Sequence, residues 1–160
     1  MSTAVLSIGS NLGDRLAHLQ SALDVFRPWL RAVSPVYETA PWGPVEQDDY
    51  LNAVLLACDP DAAPHDWLAR AHAAEQVAGR TRDVRWGPRT LDVDVVSVDD
   101  VVSDDPQLTL PHPRAAERAF VLVPWLAVDP DAALAGRPVR ELLAGVSDDD
   151  VRARPDLAVA

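Results

Sequence analysis

The sequence contains no lysine, because all 14 basic residues of the 160-residue chain are arginines. This absence excludes three lysine-dependent sites: the Walker-type phosphate loop, the strand lysine of protein kinases and a Schiff-base lysine. Cys58 is the only cysteine, so an internal disulfide is excluded and a reducing compartment is indicated. The sequence also lacks a secretory signal pattern and any run of about 18 apolar residues. We therefore expect a cytoplasmic protein without a membrane span.

The length and charge of the chain limit its organisation and its partners. A chain of 160 residues fits one domain over 1–160, with a loosely ordered tail from about residue 147. The formal net charge of −11 argues against nucleic acid as a partner, because phosphate backbones are held by excess positive charge.

Hydrophobic periodicity predicts strands and helices in the order βαββαβ. The strands are predicted at 3–9, 31–39, 50–58 and 91–98. The first helix is predicted to end near residue 26, and the second to span about 64–78. Ser10, Asn11 and Asp14 are candidate caps of the first helix. The order is that of the split βαβ, ferredoxin-like arrangement, so we predict an α+β fold with an antiparallel sheet and additional short C-terminal helices.

Arginine is concentrated in one segment of this acidic chain. Four arginines fall within ten residues and are opposed there only by Asp83: Arg80, Arg82, Arg85 and Arg89. The planar guanidinium group suits phosphate oxygens. The cluster therefore predicts a site for a polyanion.

The strand that follows the arginines carries two aspartates, Asp92 and Asp94. Side chains at i and i+2 of a strand point to the same face, which puts these carboxylates about 6.6 Å apart along it. Two such groups repel each other unless cations or protons intervene, and Mg²⁺ shared with substrate phosphates is a common solution. The alternative is that both aspartates pair with Arg85 and Arg89, and the spacing alone does not decide between the two.

Four longer blocks are more specific than either motif: LSIGSNLGDR, VSPVYETAPWGPVEQDDYLNAV, GRTRDVRWGPRTLDVDVV and LTLPHPRAAERAFVLVPW. In this order, over about residues 5–130, they resemble the 6-hydroxymethyl-7,8-dihydropterin pyrophosphokinases of folate biosynthesis. The resemblance implies a monomeric ferredoxin-like enzyme that transfers pyrophosphate from ATP to the pterin hydroxymethyl group. It also implies two Mg²⁺ ions and small-molecule substrates only.

The resemblance assigns roles to individual residues. Asp92 and Asp94 match the metal-binding aspartates, and they match catalytic positions together with Arg80 and Arg89. The residues that match ATP contacts are Arg80, Arg82, Arg85, Arg89, Val95, Thr109, His112 and Arg118. The residues that match pterin contacts are Thr39, Trp42, Tyr50, Asn52, Trp86 and Phe120. Glu75 matches an acidic position of the family to which no role is assigned.

Two other classes of function are compatible with parts of the sequence. Paired strand aspartates beside arginines also suit another metal-dependent nucleotidyl-, phosphoryl- or glycosyltransferase. A ferredoxin-like domain can also be a non-enzymatic binding module, because fold alone does not fix function. The reaction products would separate these classes.

Overall fold

A computed structural model describes residues 2–40, 47–79 and 90–159. The strands in this part of the chain are β1 Thr3–Ser10, β2 Leu30–Val33, β3 Tyr37–Thr39, β4 Tyr50–Cys58, β5 Asp92–Val98, β6 Ser103–Asp105, β7 Leu108–Leu110, β8 Ala133–Leu134, β9 Arg137–Pro138 and β10 Arg152–Ala153. The α-helices are α1 Arg15–Phe26, α2 Pro64–Val77, α3 Ala119–Val128 and α4 Val139–Ala144.

The main sheet has the strand order β10-β3-β4-β1-β5, and β2 also pairs with β4. Every pairing in it is antiparallel. If β2 and β3 are taken together as the predicted second strand, the four predicted strands stand in the order fourth, first, third, second. This arrangement confirms the predicted α+β, ferredoxin-like core.

The sheet is covered on both faces, because successive side chains of its strands are buried on opposite sides. Ala4, Leu6 and Ile8 of β1 pack with α1 and α2 in one core. Val5 points to the opposite face and joins a second core with α3 and α4. The near-continuous apolar character of β1 and β4 follows from this double coverage.

Helix α1 begins as its sequence predicts. The side chain of Asp14 accepts a hydrogen bond from Ala17 N at 3.1 Å and so caps the helix. Leu19, Leu23 and Phe26 recur at helical spacing and are fully buried. No helix in the described ranges is long and apolar enough to cross a membrane.

The predicted second strand is interrupted at Ser34. Its hydroxyl accepts a hydrogen bond from Val54 N, and its own N–H donates to Val54 O, each at 2.9 Å. Pro35 follows, and proline has no N–H to continue a ladder. The strand is therefore divided into β2 and β3, which pair with different parts of β4.

The C-terminal segment, predicted to be loosely ordered, is instead joined to the sheet. Residues Arg152 and Ala153 form β10 and pair with β3. Leu157 packs against the core that contains α1 and α2, and Val159 is buried there. Local composition did not reveal these contacts because the partners are more than a hundred residues away in sequence.

Arg70 of α2 lies between two tryptophans. Its guanidinium carbon is 3.7 Å from the ring centre of Trp29 and 4.8 Å from that of Trp67. The two rings meet edge to face at 6.2 Å, and Arg70 also donates to Asp59 at 2.8 Å. This cluster joins α2 to the segment after α1 through cation–π contacts and an ion pair that is mostly shielded from solvent.

We predict that Arg70→Ala lowers the free energy of unfolding by about 1–3 kcal/mol, because it removes cation–π contacts and a charged hydrogen bond. Arg27→Ala is the control, since the Arg27–Asp24 ion pair is largely exposed and should contribute under about 0.5 kcal/mol. Urea unfolding of both variants measures the difference. Equal losses would contradict the stabilising role of the cluster.

Candidate active site

One row of residues crosses the face of the sheet that packs against α3. Gly9 of β1 is paired with Asp92 of β5 on one side and with Asn52 of β4 on the other. The next row places Asp94 opposite Ser7. Because neighbouring strands are about 4.8 Å apart, the aspartates and Asn52 lie roughly 10 Å from each other across β1.

Gly9, in the middle of this row, is buried and closely covered by its neighbours on β4. A Cβ atom at that position would lie 3.1 Å from Asn52 Oδ1 and 3.4 Å from Tyr50 Cδ1. Both distances are at or below ordinary van der Waals contact. The absence of a side chain at Gly9 therefore lets the side chains of Asn52 and Tyr50 lie close over β1.

The β4 side of the row carries hydrogen-bonding and aromatic groups. Asn52 is buried and donates from Nδ2 to Thr39 Oγ1 at 2.8 Å. This bond leaves Thr39 with its hydroxyl proton and Asn52 with its carbonyl oxygen for a ligand. Tyr50 lies on the same face two residues earlier, and Phe120 of α3 packs against the core on that side.

A cleft of about 630 Å³ opens at the outer edge of β5. It is bounded by α2 and by the β6–β7 hairpin. Its lining residues are Leu68, His72, Glu75, Val93, Asp94, Val95, Pro106, Gln107, Leu108, Thr109, His112 and Pro113. The cleft therefore meets the aspartate pair at Asp94, and its lining is partly polar and partly apolar. Its volume is typical of small-molecule sites.

His112 at the edge of the cleft is held neutral. Burial, aided by the charges of Arg118 and Arg114, lowers the pKa of His112 to about 4. Its Nδ1 lies 3.2 Å from Arg114 N and accepts that N–H. The ring proton is thereby assigned to Nε2, which makes His112 a neutral hydrogen-bond donor near pH 7.

Arg118 brings a permanent positive charge to the aspartates. Its Nη1 lies 3.8 Å from Asp94 Oδ2, a long ion pair. Its guanidinium carbon also lies 5.5 Å from the ring centre of Phe120. Arg118 thus stands between the carboxylate pair and the aromatic side of the site, where it can reach an anion bound to either.

A family model for 7,8-dihydro-6-hydroxymethylpterin-pyrophosphokinase matches residues 5–130. The chain belongs to this family. The predicted enzyme class is thereby confirmed: the chain is a pyrophosphokinase of folate biosynthesis that transfers pyrophosphate from ATP to hydroxymethyldihydropterin. The described residues of the site all lie within the matched range.

Relatives in this pyrophosphokinase family cover nearly the whole chain. A protein of Mycobacterium tuberculosis named 2-amino-4-hydroxy-6-hydroxymethyldihydropteridine pyrophosphokinase is 52% identical, over 94% of this chain and 87% of its own length. One of Mycobacterium leprae with the same name is 56% identical, over 88% and 80%. One of Pseudomonas aeruginosa is 41% identical, over 94% and 95%.

Solved structures of the family share the fold at low sequence identity. The HPPK-DHPS protein of Plasmodium falciparum, in a structure with STZ-DHP, superposes with a TM-score of 0.70 at 14% identity. The match covers 90% of this chain and 43% of that longer one. At this identity the likeness supports the ferredoxin-like fold and nothing finer.

The structure brings together most of the predicted site residues that it describes. Asp94, Val95, Thr109 and His112 line the cleft, while Asp92 and Arg118 lie beside it. Thr39, Asn52, Tyr50 and Phe120 lie on the α3 side of the sheet. The remaining predicted residues lie outside the described ranges: Trp42, Arg80, Arg82, Arg85, Trp86 and Arg89.

Glu75 has a structural role that its sequence position did not reveal. It is buried on α2, and its Oε2 accepts a hydrogen bond from Val93 N at 3.0 Å. Val93 stands between Asp92 and Asp94, so this bond fixes the backbone of the aspartate pair. In the sequence, this role is indicated only by the position of Glu75, which falls at the same helical spacing as the inward-facing Ala71 and Ala74.

The β6–β7 hairpin was also not predicted, although the sequence of its turn indicates one. The sequence SDDPQLTL contains an Asp-Pro pair between short alternating segments, which is typical of a hairpin turn. The side chain of Asp105 accepts a hydrogen bond from Gln107 N at 2.9 Å and closes that turn. The hairpin supplies Thr109 and Leu108 to the cleft.

We predict that Glu75→Ala destabilises the protein by about 1–3 kcal/mol, because Val93 N–H loses its buried acceptor. Glu75→Gln keeps an acceptor oxygen and should lose less. Gln76→Ala, exposed on the same helix, is the control. Urea unfolding and hydrogen exchange at Val93 N–H measure the effect; unchanged exchange in Glu75→Ala would contradict this role.

We predict that protonation of His112 opposes folding. Its folded pKa of about 4 lies below the ordinary 6.5, so the unfolded chain binds the proton more readily. The stability of the wild type should therefore fall relative to His112→Gln as the pH is lowered from 6.5 toward 4. Proton NMR titration of the ring and urea unfolding across this range provide the test, and a ring pKa near 6.5 would contradict it.

Proposed function

We propose that ATP occupies the cleft beside β5 and that the pterin lies on the α3 face of the sheet next to Gly9. The observation that carries the proposal is the row Asp92–Gly9–Asn52. It puts a carboxylate and a hydrogen-bonding amide on one face with Gly9 between them, and Asp94 follows in the next row of the same face. A phosphate chain extending from the cleft would pass Asp94 and end at the pterin.

The reaction then proceeds between two substrates that the sheet holds side by side. The pterin hydroxymethyl oxygen attacks the β-phosphorus of ATP, and its bond to that phosphorus forms. The bond from the β-phosphorus to the oxygen it shares with the α-phosphorus breaks, and AMP leaves with that oxygen. The hydroxyl proton is released to solvent. Because such transfers need little covalent assistance, the chain contributes mainly alignment and charge.

Asp92 and Asp94 are the residues we assign to hold Mg²⁺, and we propose two ions. Two carboxylates on one face offer the hard oxygen ligands that Mg²⁺ prefers. Among the described residues no group of three or more His, Cys, Asp or Glu could hold a metal ion, which suits an ion shared with ATP phosphates. When bound, Mg²⁺ neutralises phosphate charge and acidifies the attacking hydroxyl.

Arg118 and His112 are assigned to the phosphates. Arg118, within reach of Asp94, can donate to the group in transfer and offset its charge. The Nε2–H of His112 can donate to a phosphate oxygen without a proton being taken up first. Arg80 and Arg89 are assigned to catalysis, and with Arg82 and Arg85 to the triphosphate.

The pterin is assigned to the β4 side of the row. The Asn52–Thr39 pair presents a donor and acceptor edge that a pterin ring can match. Tyr50 and Phe120, from β4 and α3, are assigned to its two faces. We assign Trp42 and Trp86 to the pterin as well. Val95 and Thr109 are assigned to the adenine of ATP.

We also propose that the enzyme is a cytoplasmic monomer without a nucleic-acid partner. The buried, unpaired thiol of Cys58 suits a reducing compartment. The net charge of −11 disfavours contact with a phosphate backbone. Gel filtration with light scattering would report the oligomeric state directly.

We predict that the protein, mixed with ATP, Mg²⁺ and 6-hydroxymethyl-7,8-dihydropterin, forms AMP and a pterin diphosphate. Asp92→Asn and Asp94→Asn should each lower kcat at least about a hundredfold, because the metals lose a charged ligand. Asp104→Asn, on an exposed residue of β6 outside the cleft, is the control. Phosphorus NMR and nucleotide separation identify the products.

Each competing function predicts a different product. Pterin-dependent ADP would indicate ordinary phosphoryl transfer, and free pyrophosphate would indicate a nucleotidyltransferase. A folded protein that binds both ligands without turnover would be a binding module. Any of these results would contradict the proposed reaction.

A further inference from the structure

The C-terminal segment 147–159 lies beyond the residues that the family model matches, yet it contacts the strands that carry the proposed pterin site. Strand β10 covers the outer edge of β3, with Arg152 opposite Glu38 and Ala153 opposite Tyr37. Strand β3 has only three residues and ends at Thr39. Without β10 it would be a short edge strand, which is prone to fraying.

Two charged side chains of this segment bond to the residues next to the proposed pterin contacts, one to a backbone N–H and one to a carboxylate. Asp150 Oδ2 accepts a hydrogen bond from Ala40 N at 2.7 Å, directly after Thr39. Arg152 Nη2 donates to Asp49 Oδ2 at 2.6 Å, directly before Tyr50. One short segment therefore holds the end of β3 and the beginning of β4 together.

The residues before β4 are also held by Asn11 in the turn after β1 and by Arg15, the first residue of α1. Asn11 Nδ2 donates to Gln47 Oε1 at 2.7 Å and to Asp48 O at 3.0 Å. Arg15 donates to Asp49 O at 2.9 Å. The residues that lead into β4 are thus held between the turn and the C-terminal segment.

Glu38 contacts both α1 and the C-terminal segment. Its carboxylate accepts hydrogen bonds from Arg15 at 2.6 Å and from Arg154 at 2.9 Å. The bond from Arg15, aided by Arg154, holds the pKa of Glu38 below its ordinary value despite partial burial. Because strand residues alternate, Glu38 points away from the face that carries Thr39 and Asn52. These charges therefore support the site from behind.

We propose that Asp150 and Arg152 are positioning residues for the pterin, and that they act by fixing the distance between Thr39 and Asn52. The inference rests on the proposed pterin site. Those two residues share the 2.8 Å hydrogen bond that presents the ligand edge. Small displacements at a binding site reduce productive alignment strongly, even when they originate outside it.

The test is the double variant Asp150→Ala/Arg152→Ala. We expect its KM for the pterin to rise about tenfold, with the KM for ATP changed less than about twofold, because only the β3–β4 side of the site is released. Hydrogen exchange of the Asn52 side-chain amide should be faster than in the wild type. Asp149→Ala/Arg140→Ala removes the same two charges from exposed positions and should change neither constant.

Rescue separates positioning from general support of the fold. Asp150→Asn/Arg152→Lys keeps an acceptor for Ala40 N–H and a cation for Asp49, so it should recover most of the pterin affinity. Thermal unfolding of every variant is measured in parallel. An unchanged pterin KM in the alanine variant, or equal rises for pterin and ATP, would overturn the proposal.

A separate variant distinguishes this inference from the proposed function on which it rests. Asn52→Ala should raise the pterin KM on its own. If it does and the alanine double variant does not, the C-terminal segment has no positioning role while the proposed site stands. If Asn52→Ala leaves the pterin KM unchanged, the assigned pterin site fails, and the positioning proposal fails with it.

Discussion

The site depends on the register of β1 between its two neighbours. Residue pairing places Gly9 between Asp92 and Asn52, and a slip of one residue would turn every side chain of β1 to the other face. That slip would put Ile8 beside the aspartates and bury Gly9 in the core with α1 and α2. The apolar alternation of Ala4, Leu6 and Ile8 against that core therefore also fixes the geometry of the face that carries Asp92, Gly9 and Asn52.

Each half of the site combines a strand of the main sheet with elements outside that sheet. On the β5 side, α2 supplies Glu75 to the backbone between the aspartates, and the β6–β7 hairpin closes the cleft. On the β4 side, α3 supplies Phe120, and Arg118, the residue before α3, lies between the two halves. Strand β1 lies between the two halves, and its Gly9 is paired with a residue of each.

The parts of the fold that could be predicted are those with local periodicity. The strand at 50–58, the helix capped by Asp14 and the paired aspartates of β5 all follow from spacing within a few residues. Family blocks added the site residues, which no periodicity could assign. The break at Ser34, the bond from Glu75 to Val93 and the pairing of β10 with β3 could not be predicted, because each depends on a partner distant in sequence.

The outer edge of β5 has a consequence for association between molecules. A seven-residue strand at the edge of a sheet offers unpaired backbone groups on which another chain can add a strand. Here Glu75 takes Val93 N–H, and His112 N donates to Val96 O at 2.8 Å. Groups placed at the cleft beside β5 thus also shield the sheet from intermolecular β-pairing, so mutations that open the cleft would increase the tendency to aggregate.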